Sequence, residues 1–150
     1  MDPESVADHS YRTALLAMLL ADAKGLDTLG TVRMALLHDV AEAIVGDLTP
    51  RQKEEKTEWR REESEAFGEI IGKLPSEIAA GYLTIIDEYL LGSSPESMLV
   101  HAADKLEMLL QVHEYEACGV EASKLMRFRH VSVDGYIEKS IEREIRRRME

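Results

Sequence analysis

A chain of 150 residues that is 45% apolar and 31% charged is long enough to bury one substantial core and too hydrophobic to remain disordered. Its formal net charge of -11 disfavours nonspecific binding to nucleic acid, whose affinity comes largely from neutralising phosphates, and no apolar run approaches the roughly 18 residues that a membrane span requires. The opening MDPESVADHS has neither the basic nor the apolar segment of a secretory leader, and the lone Cys118 cannot close an internal disulfide, so a reducing, cytoplasmic setting is expected.

Helical periodicity dominates and strand signals are scarce, which predicts an all-α fold: a compact multi-helix bundle forming one domain over residues 1–150. The first helix is expected over residues 3–24, with Asp2 as N-cap, Pro3 at the first helical position and Gly25 as its stop. A second is expected over 29–45, closed by Gly46 with Pro50 beyond as a breaker. Residues 52–73, QKEEKTEWRREESEAFGEIIGK, predict a highly charged third helix. There Glu54 with Glu58, and Arg61 with Glu65, repeat at one-turn spacing and suggest a mostly solvated face. The fourth begins near Pro75 and ends before Gly92. SSPES then starts a fifth, with Ser94 as N-cap and Pro95 in the first turn, running to Cys118. Residues 119–135 predict a loop and 136–149 a last helix. There is no internal repeat, low-complexity tract or linker.

The stretch LLHDVAEAIVGD, residues 36–47, reads as a buried helix yet carries four polar groups. His38 and Asp39 sit about 100° apart around a helix, close enough for both side chains to bend toward one point. Glu42, four residues after His38 and three after Asp39, hangs over that point from the next turn, and Asp47 follows Gly46. A divalent cation would offset the desolvation cost, because a coordinated carboxylate is no longer a buried unpaired charge. Two ligands rarely suffice. His9 shares an otherwise core-facing stripe with Val6, Thr13, Leu16 and Leu20, and Asp104 lies mid-helix, where aspartate has poor propensity. Such a mixed nitrogen and oxygen set suits manganese, cobalt, iron or zinc better than calcium.

Taken together as H…HD…D, His9, His38-Asp39 and Asp104 resemble the HD-domain metal-dependent phosphohydrolases. The blocks ESVADHSYR, LLHDVAEAIVGDLTP and DKLEMLLQVHEYE, spread over residues 3 to 118, resemble the branch of that superfamily that contains 5'-deoxynucleotidases. The resemblance implies that His9, His38, Asp39 and Asp104 ligate one tightly held divalent ion (manganese, cobalt, iron or zinc, with magnesium as a further option). It also implies that Glu42 positions or deprotonates the attacking water with Asp47 assisting, and that a nucleoside 5'-monophosphate is hydrolysed to nucleoside and phosphate. Arg12, one turn after His9, and Lys105, beside Asp104, are the cations expected nearest the phosphate, followed by Lys53 and Lys56. A homodimer is expected too. Relatives carry a further helix ahead of the first block, so any sugar contact from that element is left out of the expectation. No histidine lies between Asp47 and Val100, which favours one ion over the two held by some members. A second, weaker magnesium or manganese on Glu42 and Asp47 is the alternative.

Each residue also has a plainer reading. A lone His9 would be a satisfied core histidine, Asp47 a turn cap, and Arg12 the partner of a neighbouring carboxylate. His101, His113 and His130 are expected to pack or stay solvated, and residues 114–116 to form a polar helix edge. Trp59, Met18, Met34 and Met108 are expected in the core or a subunit interface, and Cys118 to be inert. Three rival functions stand beside the phosphomonoesterase: hydrolysis of a cyclic nucleotide or guanosine alarmone, a non-catalytic metal- and nucleotide-binding regulatory module, and a helical scaffold with a structural metal.

Overall fold

The computed structural model describes residues 4–46 and 58–129, together with residues 143 and 147. Asp2, Pro3, Asp47, Pro50, Lys53, Lys56 and His130 lie outside the described residues, and of the last expected helix only Arg143 and Arg147 are described, both helical. Every regular element among the described residues is a helix: α1 (Val6–Lys24), α2 (Thr28–Leu37), α3 (Glu42–Val45), α4 (Trp59–Ile71), α5 (Ser76–Leu91), α6 (Pro95–Ala117) and α7 (Ala122–Arg129).

The ends of these helices follow local chemistry. α1 starts later than expected because a capping box decides the boundary. The Ser5 hydroxyl accepts from Asp8 N–H at 3.1 Å, and the Asp8 carboxylate accepts from Ser5 N–H at 3.2 Å. It stops as expected at Gly25, whose φ of 66° is the left-handed conformation that glycine adopts without steric cost. The fifth predicted helix is observed as α6, from Ser94 as N-cap to Cys118 at its end. Ser94 both caps Ser97 N–H at 3.0 Å and bonds the Glu88 carboxylate at the end of α5. Ser94→Ala is therefore expected to cost about 1–2 kcal/mol, lowering the melting temperature of the chain by roughly 2–8 °C in a calorimetric scan.

Two further boundaries differ from expectation. The loop predicted over 119–135 contains α7, which buries Leu125 while leaving Met126 exposed. The more consequential difference lies in the second helix, which is not continuous to Val45. α2 ends at Leu37, residues 38–41 form turns, and α3 follows. Neither glycine nor proline breaks it. The carbonyl of Ala35, which an unbroken helix would pair with the N–H of Asp39, accepts the Nδ1–H of His38 at 2.7 Å. Beyond it the chain tightens into three-residue bonding, with N–H groups of Val40, Glu42, Ala43 and Ile44 reaching Leu37, Asp39, Val40 and Ala41.

Small side chains bring the helices close around the site. Ala14 and Ala17 of α1, Met34 and Ala35 of α2, Tyr89 of α5, and Val100 and Ala103 of α6 form one buried cluster. Leu106 and Leu109 of α6 pack with Leu16 and Leu20 of α1. Ala41 joins Ala66, Phe67 and Ile86, pinning the broken segment onto α4 and α5. On the far side of α4 the expected solvated charges pair, Arg61 with Glu58 at 2.7 Å and with Glu65 at 3.7 Å.

Candidate metal centre

Three helices deliver the chemistry. His9 comes from the second turn of α1, His38 and Asp39 from the turn that ends α2, and Asp104 from the middle of α6. The Nε2 of His9 stands 3.2 Å from Asp104 Oδ1 and 3.4 Å from Asp39 Oδ2, and the Nε2 of His38 stands 3.0 Å from the same Asp39 oxygen. The two imidazole centroids are 5.4 Å apart. One donor atom each from His9, His38 and Asp104 lies within 4.8 Å of the other two. Ligands about 2.1 Å from a shared ion stand roughly 3–4 Å apart, so this spacing fits a first-row cation after small adjustment.

The protonation pattern supports the same use. His38 is only 1% exposed, and its Nδ1–H is spent on Ala35, so Nε2 is the nitrogen left to face Asp39. Burial lowers the pKa of the ring, but the close carboxylate of Asp39 and the charge of Asp104 raise it overall. That Nε2 is buried without an aligned hydrogen-bond partner, although Asp39 lies close. A buried ring nitrogen aimed at carboxylates is costly unless a proton or a metal cation sits between them. The donor set therefore fits a divalent ion held by His9, His38, Asp39 and Asp104.

Burial alone would lower the pKa of His9. Hydrogen bonds to Asp104 and Glu107, with the charges of Asp104 and Asp39, more than reverse this and lift it to about 10. In the metal-free chain a proton thus takes the place of the cation. A raised imidazole pKa gives stability that is complete below the ordinary value near 6.5 and lost as pH climbs through about 10. Melting temperature of the chelated chain is expected to fall across that window, whereas affinity for added metal should rise, because binding displaces the proton. A flat chelated profile between pH 6 and 10 would contradict this.

Around the cage stand groups that sequence reasoning named and some it missed. Glu42 opens α3, partly buried. Burial, then the charges of Asp104, Asp39, Glu63 and Glu42, push the Tyr89 hydroxyl well above its ordinary range, so all four carboxylates lie within electrostatic reach of this phenol. Tyr89 lies edge-on to His38, at 5.8 Å between centroids, and stacks on His101 at 4.2 Å. His101 packs as expected, donating Nε2–H to the Tyr89 carbonyl at 2.9 Å. Lys105 is half-buried beside Asp104 and makes no ion pair with a described residue. Arg12 contacts carboxylates: Glu107 Oε1 at 2.9 Å from its Nε, Glu114 through two nitrogens at 3.0 and 3.1 Å, and Glu4 at 3.9 Å. It also bonds Gln111. Glu114 and Tyr115 are thus more than a polar edge, since the Tyr115 hydroxyl accepts from Glu4 N–H at 2.9 Å.

Two missed residues are buried acids. Glu107 is fully buried and accepts from His9 Nδ1 at 2.6 Å. Its signal was an acid set into the apolar run of Ala103, Leu106 and Leu109, one turn after Asp104. Glu63, 7% exposed, sits on the same face of α4 as Ala66, Phe67 and Ile71, hidden in sequence among solvated charges.

Two imidazoles and two carboxylates converging from three helices of an all-α bundle define a class, and the chain belongs to it. It matches the HD domain family over residues 1–144 and is a member of that family. It is 38% identical over 133 residues to the 5'-deoxynucleotidase HDDC2 of Danio rerio, covering 89% of this chain and 66% of that protein. The chain therefore spans a little less than two thirds of that curated relative. Among solved structures it is similar to a conserved hypothetical protein from Pyrococcus furiosus, with a TM-score of 0.80 and 33% identity over 98% of this chain and 85% of the other. It is also similar to a predicted metal-dependent phosphohydrolase from Magnetospirillum magnetotacticum, at 0.74 and 25%, over 97% and 77%.

Proposed function

We propose that this chain is a metal-dependent phosphomonoesterase that removes the 5'-phosphate from (deoxy)nucleoside monophosphates. The observation that carries the metal dependence is the buried His38 Nε2, without an aligned partner and facing the same carboxylate oxygen as His9 Nε2. The substrate class rests on the relatives named 5'-deoxynucleotidase. When bound, a manganese, cobalt, iron or zinc ion supplies positive charge to phosphoryl oxygens and makes water a stronger nucleophile near neutral pH.

The chain's own residues supply the rest. Glu42, near the cage but outside the ligand set, is the acceptor for the proton of the attacking water, with Asp47 assisting. Phosphoryl transfer asks little covalent chemistry and much charge neutralisation, which suits Lys105, with Lys53 and Lys56 as further cations. Arg12, already surrounded by carboxylates, is the weakest of the four for that task. The unit acts as one domain over residues 1–150 in the cytoplasm; no helix among the described residues is long and apolar enough to cross a membrane. A homodimer is supported by Tyr11, Leu15 and Leu19 of α1 and Leu29 and Leu36 of α2, exposed on two helices that pack together. Light scattering that finds only monomer at micromolar concentration would remove that element.

The deciding experiment is phosphate release from a panel of nucleoside monophosphates, set against cyclic and bis-diphosphate nucleotides, before and after chelation and with each metal restored. Release confined to monophosphates and dependent on metal is expected. Release only from the cyclic or alarmone substrates would overturn the substrate, and none from any, with every metal, would overturn the enzyme.

A further inference from the structure

A histidine offers one ring nitrogen to a metal only if something fixes the other. Nδ1 of His9 lies 2.6 Å from Glu107 Oε2 and 3.8 Å from Glu4 Oε1. The shorter distance is that of a charge-assisted hydrogen bond, so the cluster of Glu4, His9 and Glu107 reads as a clamp on the outer side of the imidazole. Glu107 is fully buried, and a carboxylate so placed is tolerable only when paired. Its other oxygen, Oε1, makes no aligned hydrogen bond but stands 2.9 Å from the Nε of Arg12. Arg12 is in turn held by Glu114 and Gln111.

The arrangement has a register. His9 and Arg12 are three residues apart on α1; Glu107, Gln111 and Glu114 follow at four and three on α6. Two helical stripes therefore interlock through His9 with Glu107 and through Arg12 with Glu107 and Glu114. The helix that contributes Asp104 to the cage also sets the ring of His9, so both depend on a single rigid element.

We infer that Glu107, held in place by Arg12, is a positioning residue that fixes the tautomer and ring orientation of His9 for metal binding. This rests on the metal reading above. The anionic carboxylate keeps the proton on Nδ1 and makes Nε2 a better donor. A glutamine there loses the charge, and its amide N–H, turned toward Nδ1, favours the tautomer that places a proton on Nε2.

The test is titration of the full, metal-stripped chain with cobalt(II) against a competing chelator, reading affinity and the visible absorption of the bound ion, with circular dichroism as a check on folding. Glu107→Gln is expected to bind about 10–100-fold more weakly with a shifted cobalt spectrum, and Arg12→Gln to move both the same way by roughly ten-fold or less. His9→Ala serves as the reference. If His9→Ala weakens binding while folded Glu107→Gln keeps the affinity and spectrum of the parent, the clamp is wrong and the cage stands. If His9→Ala binds like the parent, the cage itself is wrong. Should Glu107→Gln not fold, Arg12→Gln decides: unchanged affinity and spectrum overturn the clamp.

Discussion

Phosphate release by the Glu42→Gln protein is expected to fall about 10²–10⁴-fold, with metal content and melting temperature close to those of the parent. Glutamine keeps the size of the side chain and most of its hydrogen bonding but cannot take a proton at neutral pH. Glu42 is not among the four cage ligands, so its neutralisation leaves the donor atoms intact. Ala41, buried against Phe67 and Ile86, anchors the start of α3, so the substitution does not release the segment. Initial rates on a nucleoside monophosphate, with elemental analysis of the same sample, check both halves. A variant that keeps more than about a tenth of the parental rate would remove Glu42 from the proton transfer.

His38→Asn is expected to abolish metal loading and to lower turnover about 10³-fold or more, since the ion's charge stabilisation is worth several kcal/mol and each 1.36 kcal/mol is tenfold in rate. Asparagine is chosen because its amide can occupy the position of Nδ1 and still donate to the Ala35 carbonyl, which preserves the end of α2, while nothing replaces Nε2. Added cobalt or manganese should raise the melting temperature of the parent, because a ligand that binds only the native state stabilises it, and should leave the variant unmoved. A variant that still holds one equivalent of metal would sink the four-ligand cage.

Much of this was legible in residue order because the strongest signals were violations of a rule. His38 and Asp39 in an apolar helix, His9 on a core-facing stripe and Asp104 mid-helix each defied expectation, and the fold brings all four together. The caps were equally readable at Ser94 and Gly25, where one side chain or one positive φ decides a boundary. What stayed hidden depends on tertiary or competing local contacts. The break after Leu37 comes from an imidazole taking a backbone carbonyl, which no periodicity reveals. Helix α7 is an eight-residue amphipathic segment whose buried Leu125 finds its place only against the bundle. Glu63 looks like any other acid of its charged helix until the neighbouring helices close over it. Arg12 could have served phosphate or carboxylate, and only the stripe of Glu107, Gln111 and Glu114 on a distant helix shows which groups surround it.

Just ahead of α3 the backbone bonds three residues back, Val40 to Leu37 and Glu42 to Asp39, so the side chains there are indexed close to thirds of a circle. Exchanging Val40 for another residue alters bulk, but inserting or deleting a single residue between Asp39 and Glu42 swings Glu42 by about 120° away from the face it shares with Asp39. The spacing of this stretch is thus under a stricter constraint than its identity. A library of one-residue insertions along the chain should find its sharpest loss of function there and its greatest tolerance near Gly119, in the turn between α6 and α7.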